Sequence, residues 1–410
     1  TEPGSREALS GYLASAVHTN KMAERYFLYN PFTRLRSLMN RQIVMSMPTL
    51  ARLLLTPLDR FVARRFRHPV LRQILGYPAV FLGTSPSAAP AMYHLMSALD
   101  LHEGVQYPMG GFTALVERLE ALALEAGVTI VTGADVAEIT VTGARGERCV
   151  SGVRWQDAEG TAKHSRADVV VSAADLHHTE THLLSTADRS YPERWWQQRT
   201  SGPGAVLVLL GVRGELPELA HHSLLFTRDW DANFTAIFGK HPSVPDPASI
   251  YVCKPSATDP NVAPADHENL FMLVPIPADV SLGSGGPEGT GDAAIERAAD
   301  AAIDQLASWA GIPDLRERIV VRQTIGPADF ARDYHSWRGG MLGPAHTLRQ
   351  SAMFRAQNAS KRVRGLFYAG ATTAPGVGVP MCLISAELVL KRVRGDHSAG
   401  PTAPRAEAHA

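Results

Sequence analysis

The chain has 410 residues, enough for two or three domains and too many for one small core. Its 40 Lys and Arg balance 40 Asp and Glu, so no net field selects nucleic acid or an acidic partner. Cys149, Cys253 and Cys382 lie far apart without a CxxC pair, which indicates neither a disulfide framework nor a cysteine zinc motif and fits a reducing, cytoplasmic compartment.

Residues 1–105 read as mostly helical, from apolar positions at mixed three and four spacing. Within them, 31–75 carries nine arginines (Arg34, Arg36, Arg41, Arg52, Arg60, Arg64, Arg65, Arg67, Arg72) among Leu, Ile, Val, Met and Phe, with Asp59 as the only acid. Such a stretch either lies in an anionic membrane interface or forms an ordinary solvated helical pair. No apolar run reaches the roughly 18–20 residues of a membrane-spanning helix.

From Tyr107 the pattern turns to α/β. A Gly110–Gly111 turn opens a helix with Leu115, Leu119, Leu122 and Leu124 as its buried stripe, and VTIVTG (128–133) follows as a strand. A hairpin then returns to the apolar run ADVVVSAA, read as a buried strand, closing a segment at 106–188. Residues 189–335 look like an α+β domain. AVLVLLGV, SLLFT, SIYVCKP and LFMLVPIP supply its strands, and an alanine-rich helix stops at Gly311. Residues 336–394 end in strand, Gly-rich turn and helix, and 395–410 has the composition of a disordered tail.

The strongest chemical signal is LFYAGATTAPGVGVPMCLISAELVL (366–390). An apolar strand runs into Gly370, a turn with Pro375, Gly376 and Gly378, and a helix beginning near Pro380. The free amides and positive dipole end of that helix suit a pyrophosphate, a ribityl chain or the electron-rich edge of a flavin. A tight turn needing glycine for sterics alone has the same spacing.

This segment resembles the C-terminal FAD signature of the bacterial phytoene desaturase family, matching at Gly365, Leu366, Gly370, Thr373, Pro375, Gly376, Gly378, Pro380, Ser385 and Ala386. YPMGGFTALVERL, ADVVVSAADLHHTETHLL, LAHHSLLF, YVCKPSATDPNVAPADHENLFMLVPIP and GPADFARDYHSWRGGMLGPAHTLRQSAMFRAQN resemble further segments of that family in the same order. The resemblance implies an amine-oxidase-like FAD flavoprotein with α/β and α+β parts. These are a dinucleotide-binding domain, a substrate domain and a helical membrane-associating part. It places Gly370 and Ala371 by the phosphate and ribityl atoms, Val379, Pro380 and Met381 at the isoalloxazine, and Gly378 among the cofactor-binding residues. Val136 falls by the adenine, and Ala173 and Ala174 at a strand end close to the cofactor.

The family's opening βαβ unit, GxGxxG with an acid about 20 residues on, has no counterpart here. The start at Thr1 therefore reads as a truncation, and the chain is expected to hold FAD poorly. The implied reaction is desaturation of phytoene towards lycopene, with an isomerase, a later-step desaturase, a ketolase or an inactive fragment as alternatives. A polyene of about forty carbons gains about 25–30 kcal/mol on leaving water for lipid, so it must be collected from the membrane by a peripherally bound enzyme. Asp329 is the candidate base, with a helix N-cap as its structural alternative. His177, His178 and His182 (HHTETH) have ligand-like spacing, but the resemblance implies no metal; His221 and His222 are read as structural.

Overall fold

The computed structural model describes residues 2–34 and 41–403; Arg36 of the basic stretch and the last seven residues of the tail lie outside them. The described helices include α1 (Ser5–Ala23), α2 (Arg41–Leu55), α3 (Leu58–Ala63), α4 (Pro69–Gly76), α5 (Gly111–Glu125), α6 (Leu176–Thr181), α7 (Ala293–Ala310), α8 (Pro327–Tyr334) and α9 (Val379–Arg394). The strands are β1 (Asp135–Thr142), β2 (Cys149–Gln156), β3 (Ala162–Arg166), β4 (Val170–Ser172), β5 (Gly204–Arg213), β6 (His222–Leu225), β7 (Ile250–Cys253), β8 (His267–Ile276), β9 (Ile319–Ile325) and β10 (Leu366–Tyr368). The chain divides into two compact units, one of 1–104, 134–200 and 342–410, the other of 105–133 and 201–341.

In the first unit α1, α3 and α4 close on an aromatic core. Tyr12 meets Phe61 and Phe66, and Leu58, Val62 and Leu75 fill the space around them. Burial raises the Tyr12 phenol to about 12. β1, β2 and β3 form an antiparallel meander, and β4 pairs in parallel with β10, Val170 opposite Leu366 and Ser172 opposite Tyr368. This parallel pair is the scaffold of the candidate site, because its two carboxyl ends emerge side by side.

The second unit is a five-stranded sheet in the order β6-β7-β8-β5-β9. β5 from Gly204 to Val212 and β8 from Leu270 to Ile276 are continuously apolar, as expected of central strands. Val206, Val208, Leu210, Leu270, Met272 and Val274 pack on Ile295, Ala299, Ile303 and Leu306 of α7. Those helical positions recur at three and four, and each buried aliphatic side chain contributes about 1.5–3 kcal/mol. Gly311, at φ 75°, stops α7 as the sequence predicts.

The structure departs from the sequence expectations at four places. No residue of α5 is buried: of its expected stripe, Leu119, Leu122 and Leu124 stand 42–54% exposed and Leu115 is only half-buried. Residues 128–133 have strand-forming side chains but no ladder partner among the described residues, so the segment is extended chain and not a strand. β4 keeps only its three central residues in the ladder, with Val169 and Val171 about half exposed, so the run is not a buried strand. Residues 396–403 are held in place: buried Lys391 donates to the carbonyls of Tyr29 (2.9 Å), Ser398 (3.3 Å) and Gly400. Glu387 also accepts from the Thr402 amide at 2.6 Å.

Candidate functional site

The site grows from the parallel pair. The Ala369 amide donates to the Ser172 carbonyl at 3.0 Å, extending the ladder to the point where both strands end. Ala173 and Ala174 follow β4 and are exposed, while Gly370 and Ala371 follow β10. A Cβ built on Gly370, at φ 103°, would lie 3.6 Å from the Ala173 carbonyl oxygen. Small residues on both chains thus leave the backbone open at the carboxyl end of a parallel sheet, where ligands of α/β proteins bind.

The turn between β10 and α9 is fixed from inside. Ser385, buried on α9, accepts the Gly370 amide at 3.0 Å, and the Asn358 side-chain amide reaches Ser385 (3.0 Å) and the Ala374 carbonyl (2.8 Å). Arg355 is buried and donates to carbonyls of Ala371 (2.7 Å), Thr373 (2.9 Å) and Pro344 (3.1 Å). Burial lowers its guanidinium to about 10, which leaves it charged at neutral pH. Thr372 Oγ1 accepts the amide of Leu176, joining the turn to the first residue of α6, whose N-cap Asp175 accepts from His177 at 2.8 Å.

His346 packs under the turn. A Cβ on Gly376 would meet its Nε2 at 2.2 Å, so only glycine fits there. Burial, and after it the Arg355 charge, pushes the His346 imidazole down to about 3, so the ring is neutral.

The N-terminus of α9 is left open. Gly378, Val379 and Pro380 are exposed and no side chain caps the helix. Pro380 has no N–H to satisfy, while the first-turn amides of Val379 and Met381 have no intrahelical acceptor. Exposed amides at a positive helix end, beside small residues at the ends of two parallel strands, fit the phosphate and ring edge of a flavin nucleotide. Gly370, Ala371, Ala173, Ala174, Gly378, Val379, Pro380 and Met381 all belong to this one strand–turn–helix region. Val136 lies elsewhere, on β1 opposite Trp155.

Asp329 has a different setting. It is buried at the start of α8, where Oδ2 accepts the amides of Gly326 (2.8 Å) and Gly285 (2.6 Å), and Arg332 meets Oδ1 at 2.9 Å. Both oxygens are engaged in holding a helix start and the 283–286 loop; Asp329 does this from the third helical position, with Gly326 as the N-cap residue. In the HHTETH segment His177 pairs with Glu193 at 2.9 Å, while His178 and His182 stack at 5.1 Å. Arg355, Asn358 and His346 are not singled out by any local pattern in the sequence; packing alone shows what they hold.

Parallel strands ending at an uncapped, glycine-led helix suit a nucleotide cofactor. The chain belongs to the family of flavin-containing amine oxidoreductases, whose model matches residues 6–393. A carotenoid 3,4-desaturase of Haloarcula japonica is 39% identical over 386 residues, which cover 94% of this chain and 74% of that protein. A zeta-carotene-forming phytoene desaturase of Myxococcus xanthus is 34% identical over 81% of this chain and 61% of its own length. For a 4,4'-diapophytoene desaturase of Staphylococcus haemolyticus the figures are 28%, 97% and 77%.

Among solved structures, an oxidoreductase from Methanosarcina mazei aligns with TM-score 0.52 at 16% identity, covering 89% of this chain and 75% of that one. A putrescine oxidase variant aligns at 0.50 and 14%, covering 97% and 76%. Both share the fold. The protein is thus an FAD-dependent oxidoreductase with the amine-oxidase-like flavoprotein fold, as the resemblance implies.

Proposed function

We propose that this protein desaturates a carotenoid, with phytoene converted towards lycopene as the specific reaction. Bound FAD supplies the hydride acceptor, and a proton leaves the neighbouring carbon, so one C–C single bond becomes C=C. The amides of Val379 and Met381, with the α9 dipole behind them, would hold and stabilise negative charge on a bound flavin. Gly370 and Ala371 admit the phosphate and ribityl atoms, and the Arg355 and Ser385 contacts keep that backbone in shape.

The observation that carries the polyene reading is the second face of the sheet, opposite α7. Cross-strand register sets Leu207, Leu273 and Tyr251 in one row and Leu209, Phe271 and Cys253 in the next. All six are half-buried, so this face is apolar and only partly covered. A hydrocarbon gains roughly 25 cal/mol for each Å² it hides there, and needs no polar partner.

Delivery from a membrane is supported by α2. Ile43, Leu50 and Leu53 point into the protein, while Val44, Met45, Met47 and Leu55 are 52–73% exposed beside exposed Arg41 and Arg52. A helix apolar on its outer side and flanked by arginine suits peripheral binding to anionic lipid. No helix among the described residues is long and apolar enough to cross a membrane.

The Haloarcula relative favours a second reading, desaturation of a carotenoid at its 3,4 position. Incubating the FAD-loaded protein in liposomes with phytoene, and separately with lycopene-type polyenes, decides between them by which substrate gains double bonds. A protein that alters neither is not a carotenoid desaturase.

A further inference from the structure

β6 and β7 place His222 and Cys253 directly opposite each other as an antiparallel pair, and His221 immediately precedes β6. The Lys254 amide donates to the His221 carbonyl at 2.7 Å, carrying the ladder past the strand ends and fixing the backbone that bears all three side chains. One ligand atom from each of His221, His222 and Cys253 lies within 4.8 Å of the other two. Among the described residues, this is where three such groups converge as ion ligands could.

The surroundings prepare both rings for coordination. Nδ1 of His221 meets Thr258 Oγ1 at 2.6 Å, and Nδ1 of His222 meets the Tyr251 hydroxyl at 2.8 Å. Hydroxyls that accept the Nδ1 protons leave the lone pair on Nε2 of each ring, the arrangement seen behind metal-bound imidazoles. Nε2 of His221 is buried and has no hydrogen-bond partner, which is unusual for a buried polar atom. Tyr107 packs edge-on against His221 at 4.7 Å and restrains the ring.

The Cys253 thiol is free. A bound cation would displace the thiol proton.

We propose that His221, His222 and Cys253 bind one zinc ion, with water as the fourth ligand. Two imidazoles and a thiolate match a borderline-soft, tetrahedral ion and disfavour magnesium or calcium. The ligands come from two separate segments, so no sequence motif announces them. Zinc there ties β6 to β7 at the edge of the sheet and occupies one end of its apolar face.

The test titrates cobalt(II), then zinc, into the metal-free full chain without FAD or polyene, so its outcome is independent of the desaturase reading. The expected result is one ion per chain, with an intense thiolate-to-cobalt charge-transfer band that zinc abolishes. Cys253→Ser removes the band, and His221→Gln weakens binding at least tenfold. In the unsubstituted chain, zinc protects Cys253 from alkylation while Cys149 and Cys382 still react; this arm holds even if a variant misfolds. Absence of stoichiometric binding, equal alkylation of Cys253 with and without zinc, or an unchanged band in Cys253→Ser overturns the proposal. The last outcome would place the ion elsewhere, His177–His182 included.

Discussion

The guanidinium of Arg355 donates to the carbonyl of Ala371 at 2.7 Å, inside the turn that the family resemblance places against the cofactor. With its bonds to Thr373, Pro344 and Gln350, this buried side chain satisfies four carbonyls from two loops. Lysine offers a point charge in place of a planar fork and cannot reproduce the set. Arg355→Met leaves those carbonyls unpaired, and about 3 kcal/mol of stability is lost. Arg355→Lys falls between the two. Thermal unfolding with and without FAD checks this, and the expected result is a smaller FAD-induced rise in Tm for both variants.

Gly376→Ala drives a methyl group into His346 at a φ of 146°, where residues with side chains are strained. A loss of about 2–4 kcal/mol is expected, with weaker retention of flavin than of overall fold. A double variant in which His346 is also shortened to Ala should recover part of the loss, which a denaturant series on the four proteins would show.

His346 also sets a pH dependence. Its folded value, about 3, lies below the ordinary value of 6.5, so between these limits the unfolded chain binds the extra proton. Stability therefore falls as pH drops from about 6.5 towards 3, by at most about 1.4 kcal/mol per pH unit from this group. Glu180 acts oppositely: burial raises its carboxyl, and that contribution is lost as pH rises above the usual carboxylate range. His346→Phe isolates the histidine. Urea midpoints at pH 4.5 and 7 should differ less in the variant than in the parent chain.

For Asp329, a cap and a catalytic base make different predictions. Asp329→Asn keeps one oxygen for the Gly326 and Gly285 amides, so stability falls by about 1 kcal/mol and turnover by less than tenfold. Asp329→Ala, which leaves both amides unpaired, should cost about 2 kcal/mol. A loss of several powers of ten in kcat with an unchanged Tm would restore the base assignment.

On α2, Met45→Glu with Leu55→Glu removes exposed apolar surface and adds charge opposed to anionic lipid. Binding to phosphatidylserine-containing vesicles should fall at least tenfold, while Tm stays unchanged. Equal binding of parent and variant would assign the membrane contact to another surface.

What the sequence disclosed, and what it concealed, follows from range. α7 and its Gly311 stop, and the strands β5 and β8, are legible because periodicity and glycine chemistry are local. The turn around Gly370 was legible because its glycines crowd one short segment. The strand expected at 128–133 and the buried stripe of α5 failed because each needs a partner that pattern alone does not supply. Arg355 and Asn358 were missed because a buried polar residue declares its role only through the carbonyls it meets. The His221, His222 and Cys253 cluster is made by the register of β6 on β7, which no local pattern encodes.

The most direct measurement follows flavin absorbance under anaerobic conditions while FAD-loaded protein in anionic liposomes meets phytoene. The expected result is bleaching of the oxidised flavin, matched mole for mole by new conjugated double bonds in the polyene. Flavin that stays oxidised with phytoene and with later carotenoids, yet is bleached by an amine, would contradict it.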